Sequence, residues 1–447
     1  MNPEKTVSDL ASRGMFFIPI GESYGFAAGD FYLCYVPVTR SMQVIDGKFF
    51  RDHIQADSPL LPEGDPRQEL PSVLPEFPVI SDPGEVDVLY FILTYRCNFK
   101  CVYCYSAEGR SAEEITYPEV ETMLKYFLSP EKKGRKIAVN FIGGGEPMLA
   151  RELLQHSIEM IRQLEELYGL EVSIGIITNG SVLDDEICGI LKKHDVQLKI
   201  SFEVLPEIQN LQRGNFDLVS GNIKKYSPEI PTIIRSVITA DNVELIPDMV
   251  EELLHNYPHV KQLKCDPVVI PDGFGSPEDA EEFYLAYGRS FIKAMKLCRG
   301  TGLELSCWVT RVLNRNAAAF CPPVFTVTPQ GSITSCVCYS SPKENGYPEK
   351  IFGSIRNGAV SIDPAAWKRL CERTYAGFPE CENCFMKYHC AGGCLAHRAV
   401  YPPEINLAIC RAVRKMAKNI LLDKLEQELK TQYGLDLYGL LSGKGEN

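Results

Sequence analysis

No run of about 18 consecutive apolar residues occurs in this sequence, and no apolar stretch of the export type lies near its N-terminus. The expectation is therefore a cytoplasmic protein with neither a membrane-spanning helix nor a signal peptide. Positive charge is in deficit. Lys and Arg total 46 against 58 Asp and Glu, giving a net charge of −12. A surface of that sign repels phosphate backbones and anionic lipid, so neither nucleic acid nor a membrane is expected as a partner. Without an export signal, disulfides are not expected either. In a reducing compartment, 17 cysteines point to metal rather than to cross-links. The remaining composition, 45% hydrophobic and 23% charged over 447 residues, is that of an ordinary globular chain with room for two or three domains.

The chain is organised around Thr94-Tyr-Arg-Cys97-Asn-Phe-Lys-Cys101-Val-Tyr103-Cys104-Tyr105. It follows residues 88–93 (Val-Leu-Tyr-Phe-Ile-Leu), an apolar run that reads as a buried strand. Three cysteines in a CxxxCxxC loop after a strand can face one point and bind three irons of a 4Fe–4S cluster. The fourth iron then lacks a protein ligand and is open to a substrate or cofactor. A zinc site would instead pair CxxC units and fill all four positions.

At these residues the chain resembles the radical S-adenosylmethionine (SAM) enzymes, whose CxxxCxΦC motif carries an aromatic at Φ, here Tyr103. The resemblance implies that the open iron chelates the amino and carboxylate groups of SAM. It further implies reductive cleavage to a 5′-deoxyadenosyl radical that abstracts hydrogen from substrate, with Tyr103 close to the adenine. Chemistry of this kind requires low oxygen and an electron donor such as a flavodoxin or ferredoxin.

Residues 1–80 form a separate segment with short strands expected near 14–20, 31–36 and 42–45 and turns at Ala28-Gly-Asp30 and Asp46-Gly47. No three-helix pattern of the kind found in leader-binding domains is evident there. Two readings stand: a β-rich module whose edge strand pairs with a peptide, or an extension that packs on the barrel. Residues 60–78 are proline-rich and read as a linker. From residue 85 to about 300 strands and helices alternate. Strands are expected near 88–94, 137–142, 172–177, 197–203, 232–238 and 260–269. Helices are expected near 117–128, 149–168, 184–194, 216–226, 244–256 and 278–299. Thr116 and Glu119 form a capping box, and Leu154, Ile158, Ile161, Leu164 and Tyr168 recur at helical spacing. Such alternation implies an α/β fold with a parallel sheet, and six units match the partial (β/α)6 TIM-like barrel of the resembled family. Functional residues are then expected at the carboxyl ends of the strands.

Several residues occupy those positions. Gly143-Gly144-Gly145-Glu146-Pro147 follows the second strand and resembles the family's GGEP motif, which implies that Glu146 holds the SAM amine. Glycines there let the backbone approach a ligand. Thr178-Asn179-Gly180 follows the third strand, where the family contacts the ribose or carboxylate of SAM. Ser201 ends the fourth strand as a candidate ribose contact. Arg235 on the fifth is either a partner of the SAM carboxylate or a member of a structural ion pair. One departure stands out. Relatives with auxiliary clusters read S-x-D-G, then a His-Asp pair and an Arg. Here the chain reads Ser201-Phe-Glu203-Val, then Gln209-Asn210 and Arg213. Glu203 is the candidate catalytic carboxylate, and the change predicts a different substrate.

A second constellation runs Cys321-x9-Gly331-x4-Cys336, then Cys381-x2-Cys384-x5-Cys390-x3-Cys394, and Cys410. It resembles the cysteine-rich SPASM domain of radical SAM enzymes, expected over 301–415, which holds two auxiliary 4Fe–4S clusters and brings the total to three. By position, Cys321, Cys336 and Cys394 hold the first, and Cys381, Cys384, Cys390 and Cys410 the second. Clusters tied across the chain in this way also contribute folding energy. The fourth ligand of the first is open: Cys307, Cys338 or a substrate thiol. Cys34, Cys188, Cys265, Cys298 and Cys371 read as buried apolar residues. A C-terminal helix is expected over 411–434, running into a closing segment 416–447.

Taken together, the resemblance implies a maturase that cross-links a ribosomally made precursor peptide, with a thioether preferred over a carbon–carbon or carbon–oxygen bond. A formylglycine-forming maturase and an iron–sulfur electron carrier are the rival expectations. GGGEP has no use in electron transfer alone.

Overall fold

The computed structural model describes residues 3–443 apart from 57, 59–61, 78, 272 and 345. Strands β1 (Phe16–Pro19), β2 (Phe31–Val36) and β3 (Ser41–Asp46) form an antiparallel sheet in that order. A helix not expected from sequence, Pro3–Ser12, packs Leu10 with Met15, Cys34, Val36, Ile45 and Phe50 in a small core of its own. With only Val7, Leu10 and Ala11 as its apolar stripe, that helix carries too few periodic positions to be read out.

This N-terminal sheet docks on the cysteine-rich end of the chain. The Tyr35 hydroxyl lies 2.6 Å from His389 Nε2, and His389 Nδ1 lies 2.7 Å from the carbonyl of Arg315. A carbonyl only accepts, so Nδ1 carries the proton and Nε2 receives the tyrosine hydrogen. The proline-rich stretch is no free linker. Asp65 is buried in an ion pair with Arg67 at 2.7 Å, and Leu74 and Phe77 pack against the main core.

The barrel strands are β4 (Val88–Phe91), β5 (Lys136–Phe141), β6 (Glu171–Thr178), β7 (Val196–Ser201), β8 (Thr232–Ile238) and β9 (Gln262–Pro267), all parallel and hydrogen-bonded in sequence order. Helices Tyr117–Phe127, Arg151–Tyr168, Asp185–Lys193, Phe216–Tyr226, Ile246–Asn256 and Pro277–Leu297 cross between them, close to the expected bounds. The capping box is present, with Glu119 accepting from the Thr116 amide at 2.9 Å. One short helix, Pro206–Gln212, was not expected and stands just beyond the end of β7.

The cysteine-rich region does not begin at residue 301 as a separate lobe. β10 (Glu304–Ser306) adds to β9 at one edge of the barrel sheet. At the other edge β11 (Phe325–Val327) pairs in parallel with β4, then β12 (Ser332–Thr334), β13 (Ile351–Arg356) and β14 (Ala359–Ile362) follow antiparallel. The result is one sheet of eleven strands. The C-terminal helix spans Pro403–Tyr433, so it starts before the expected position, includes Cys410, and runs across the boundary expected at 415. It lies against helix Pro277–Leu297, where Gly288 lets Met416 approach closely.

The Tyr35–His389 contact generates a test. Tyr35→Phe strands the His389 acceptor in the interior, at a cost of about 1–3 kcal/mol. A lower denaturant midpoint at unchanged slope is the expected reading. Burial also holds His389 below its ordinary value of 6.5. The unfolded chain therefore takes up the proton first as pH falls, and this contribution to stability, complete above 6.5, diminishes toward lower pH.

Candidate functional site

The loop after β4 is held over the strand ends by its own backbone. Cys104 N donates to Cys101 O at 3.2 Å, and Val102 N donates to Gln212 O at 3.0 Å, so the helix after β7 supports it. Arg110 Nη2 lies 3.3 Å from Cys104 Sγ, and Arg213 Nη1 lies 3.7 Å from Cys101 Sγ. Burial raises the Cys97 and Cys101 thiols, and the three cysteines act on one another by charge. Among the described residues no three His, Cys, Asp or Glu side chains gather as ligands of a single ion. Thiolates of a cuboidal cluster bind separate irons and stand farther apart than ligands of one ion, so these cysteines fit a cluster better than zinc.

The turn 143–147 rests directly on that loop. A Cβ on Gly145 would fall 2.0 Å from Arg96 O, and Gly144 has φ +90° with Ile92 and Tyr95 against it. Pro147 opens a short 3-10 turn capped by Glu146. Glu146 is buried and accepts from Met148 N at 3.1 Å, Thr178 Oγ1 at 2.7 Å and Asn179 N at 2.7 Å. Burial raises its pKa, and the three hydrogen bonds pull it back down. A carboxylate has about four lone-pair sites, so one remains. Asn179 continues the chain of contacts to Asn98 in the cysteine loop, at 2.9 Å. Thr178 and Asn179 thus tie β6 to the turn after β5.

Glu203 departs from the expectation of a catalytic carboxylate. It is fully buried. One oxygen accepts from Arg213 Nε at 2.6 Å and from the Tyr103 hydroxyl; the other accepts from Ser236 Oγ at 2.5 Å and Val237 N at 2.9 Å. No lone pair is left to take a proton from a substrate. The Arg213 guanidinium also sits 5.2 Å from the Tyr103 ring centre. Gln209 completes the group by accepting from Glu203 N at 2.9 Å. The residues that replace the relatives' motif therefore form one positioning network under Tyr103.

Ser201 and Arg235 stand opposite each other in the β7–β8 register. The Arg235 guanidinium has no hydrogen bond or ion pair among the described residues, which leaves its structural ion-pair reading without a partner. Beside it are Lys199 on β7 and Lys264 on β9, two residues that the motif reading passed over. Burial, and then the neighbouring Lys264 and Arg235, together lower Lys199 to about 8. Lys199 Nζ donates to Asn140 Oδ1 at 2.7 Å across Gly175, where a Cβ would come within 2.8 Å of the ammonium. The available signal was the placing of Lys199, Arg235 and Lys264 on consecutive strands at positions flanked by more buried residues. Tyr90 on β4 has Arg235 on one side and Cys321 and Cys336 on the other.

The second constellation separates into two groups. Cys381, Cys384, Cys390 and Cys410 line one cavity together with Cys394 and Arg398, and each of the four has others of the set as charged neighbours. Desolvation raises the Cys321 thiol, and Cys394 and Cys336 raise it further. Cys307 is elsewhere, fully buried at the start of helix Trp308–Leu313 with Tyr287, Thr310 and Asp266 around it. Cys34, Cys188, Cys265, Cys298 and Cys371 sit in the apolar cores.

If Glu203 is the tie described here, Glu203→Gln leaves the buried Arg213 without its counter-charge. Loss of one partner of a buried pair costs about 3–5 kcal/mol, read as a lower denaturant midpoint. An unchanged midpoint would show that the network does not hold the loop.

Residues 91–253 match the family model described as Radical SAM superfamily. The radical SAM cyclopropyl synthase TigE of Paramaledivibacter caminithermalis is 19% identical over 364 residues, covering 70% of this chain and 68% of TigE. Two other curated relatives are spanned over 56% and 64% of their length, so the chain matches about half to two thirds of such proteins. Among solved structures, native anSMEcpe with bound AdoMet and Kp18Cys peptide aligns with a TM-score of 0.61 at 18% identity, over 75% of this chain and 98% of that one. Streptococcus suis SuiB bound to precursor peptide SuiA aligns with a TM-score of 0.51 at 12% identity, over 88% and 97%. Residues 91–253 therefore form a radical SAM domain, and the chain shares the fold of anSMEcpe and SuiB.

Proposed function

We propose that this protein cross-links a ribosomally made peptide by joining a cysteine sulfur to a carbon that has lost hydrogen. One observation carries the proposal. Tyr105, at the end of the cysteine loop, lies within charge-interaction range of both Cys104 and Cys338, the latter bonded through its amide to Cys336 Sγ, so both cysteine groups lie near a single side chain. When bound, three 4Fe–4S clusters (on Cys97, Cys101 and Cys104; on Cys321, Cys336 and Cys394; and on Cys381, Cys384, Cys390 and Cys410) and SAM supply a carbon radical and an acceptor for the second electron of the oxidation.

The remaining work falls to this chain's residues. Glu146 offers its free lone pair to the SAM amine beside the backbone of Gly144, Gly145 and Pro147, while Thr178 and Asn179 hold the carboxylate in place. Tyr103, fixed by Glu203 and Arg213, lies beside the adenine; Ser201 meets the ribose. Arg235 takes the SAM carboxylate. Lys199 and Lys264 make the neighbouring face cationic, which favours a peptide with an acidic residue near the reacting one. The bond replaces one C–H and one S–H. One hydrogen leaves as an atom to 5′-deoxyadenosine, and the other leaves as a proton, with its electron passed on through the protein to a flavodoxin or ferredoxin type of partner.

The similarity to TigE over 70% of the chain favours carbon–carbon bond formation as a second reading. Formylglycine formation is weakened, since Glu203 has no free lone pair to accept a proton. Anaerobic incubation with short cysteine-bearing peptides encoded beside this gene distinguishes these products. A peptide lighter by two hydrogens, with its cysteine closed to alkylation, is the expected product. The same mass loss with a free cysteine supports the carbon–carbon reading, and SAM cleavage without any peptide change overturns both.

Two variants report on cofactor binding. Replacing Cys97, Cys101 and Cys104 together by Ala should remove about four irons and all SAM cleavage. Glu146→Gln removes a charge-assisted bond of about 1.5–3 kcal/mol, so SAM affinity should fall roughly tenfold or more while iron content holds. Undiminished affinity would mean that Glu146 serves the turn alone.

A further inference from the structure

We infer that Cys338 is the fourth protein ligand of the first auxiliary cluster, an assignment that rests on the cluster reading above. That cluster is then closed by protein thiolates, and a substrate sulfur does not bind it.

The argument begins with the turn after β12. Tyr339 N donates to Cys336 O at 3.1 Å, closing a turn over Val337 and Cys338. Within it, Cys338 N donates to Cys336 Sγ, 3.5 Å away, which holds the two cysteines on the same turn. The turn is pinned on its exit side, where Ser340 Oγ and the Ser341 amide donate to Glu344 at 2.7 Å and 3.1 Å. Cys394 lies within charge-interaction range of Cys336 and Cys338, and Cys321 within that of Cys394 and Cys336, so thiols from distant stretches share this neighbourhood.

The competing ligand fails on position. Cys307 has Tyr287, Cys265 and Asp266 around it at the β9–β10 edge, and none of Cys321, Cys336 or Cys394 is among its neighbours. A fourth thiolate adds negative charge, and a cation is placed to offset it. Lys350 stands near Cys336 and Cys394, with its ammonium 5.0 Å from the Tyr339 ring centre. Arg373 lies close to Lys350 and adds to the positive field. The open fourth position is thus filled from two residues downstream of Cys336.

The test uses the full chain, reconstituted anaerobically and saturated with SAM so that the cluster on Cys97, Cys101 and Cys104 has no vacant iron. Wild type, Cys338→Ala, Cys338→Ser and Cys307→Ala are compared by iron and sulfide content and by Mössbauer spectra, with and without 2-mercaptoethanol as a small thiol. Wild type and Cys307→Ala should each carry about twelve irons and ignore the added thiol. Cys338→Ala should either lose about four irons or keep a cluster with one distinct iron whose signal shifts when thiol is added. Cys338→Ser, which keeps an oxygen ligand, should retain more of the cluster than Ala. The proposal is overturned if wild type responds to thiol, or if Cys338→Ala matches wild type in iron and spectrum, as it would were Cys336 and Cys338 merely a redox pair. Wild type with only about four irons overturns it together with the cluster reading.

Discussion

Two buried carboxylates beneath one cysteine loop hold this site together. Glu146 joins the ends of β5 and β6, and Glu203 joins β7 and β8. Each is removed from water, so each needs a full set of donors to be tolerated. Those donors come from the loops that must be held still: the Thr178 hydroxyl, the Asn179 and Val237 amides, the Tyr103 phenol and the Arg213 guanidinium. Because the bonds are charge-assisted and out of solvent, they fix loop positions more firmly than neutral contacts at the surface. The cysteine loop then needs little structure of its own. It is propped by Gln212 below, by Arg213 and Arg110 beside its thiols, and by the glycine turn lying against Tyr95 and Arg96.

The same economy governs the second half of the chain. β11 takes its place against β4, on the strand that leads into the cysteine loop, so the cysteine-rich region is covalently distant but physically adjacent. Cys338 lies close enough to Tyr105 to act on it by charge. On the opposite side, the cationic residues of β7, β8 and β9 share a face toward which Tyr90 also turns. The N-terminal sheet packs against His389, which in turn contacts Arg315, and β1 and β3 are the outer strands of its sheet.

Much of this was legible in the sequence because the barrel obeys local rules. Residues 88–299 alternate apolar runs with amphipathic stretches, and the strands and helices fall within a few residues of where periodicity places them. The cysteine groups were legible from spacing alone. What sequence could not show was which polar side chains are satisfied. Glu203 looked catalytic because a carboxylate at a strand end can act on substrate; only the convergence of four donors from three elements makes it structural. Lys199 and Lys264 were passed over because no motif contains them, and their meaning depends on strand register. The linker reading of 60–78 failed for a related reason. Asp65 and Arg67 neutralise each other locally, which composition does not reveal.

The central claim is that one cysteine group leaves an iron open to SAM and the other two do not. Mössbauer spectroscopy of the isotopically labelled, reconstituted protein tests this most directly. Adding SAM should change the signal of one iron in about twelve and leave the rest as they were. A spectrum that SAM does not alter, or one in which irons of more than one cluster respond, would contradict the account.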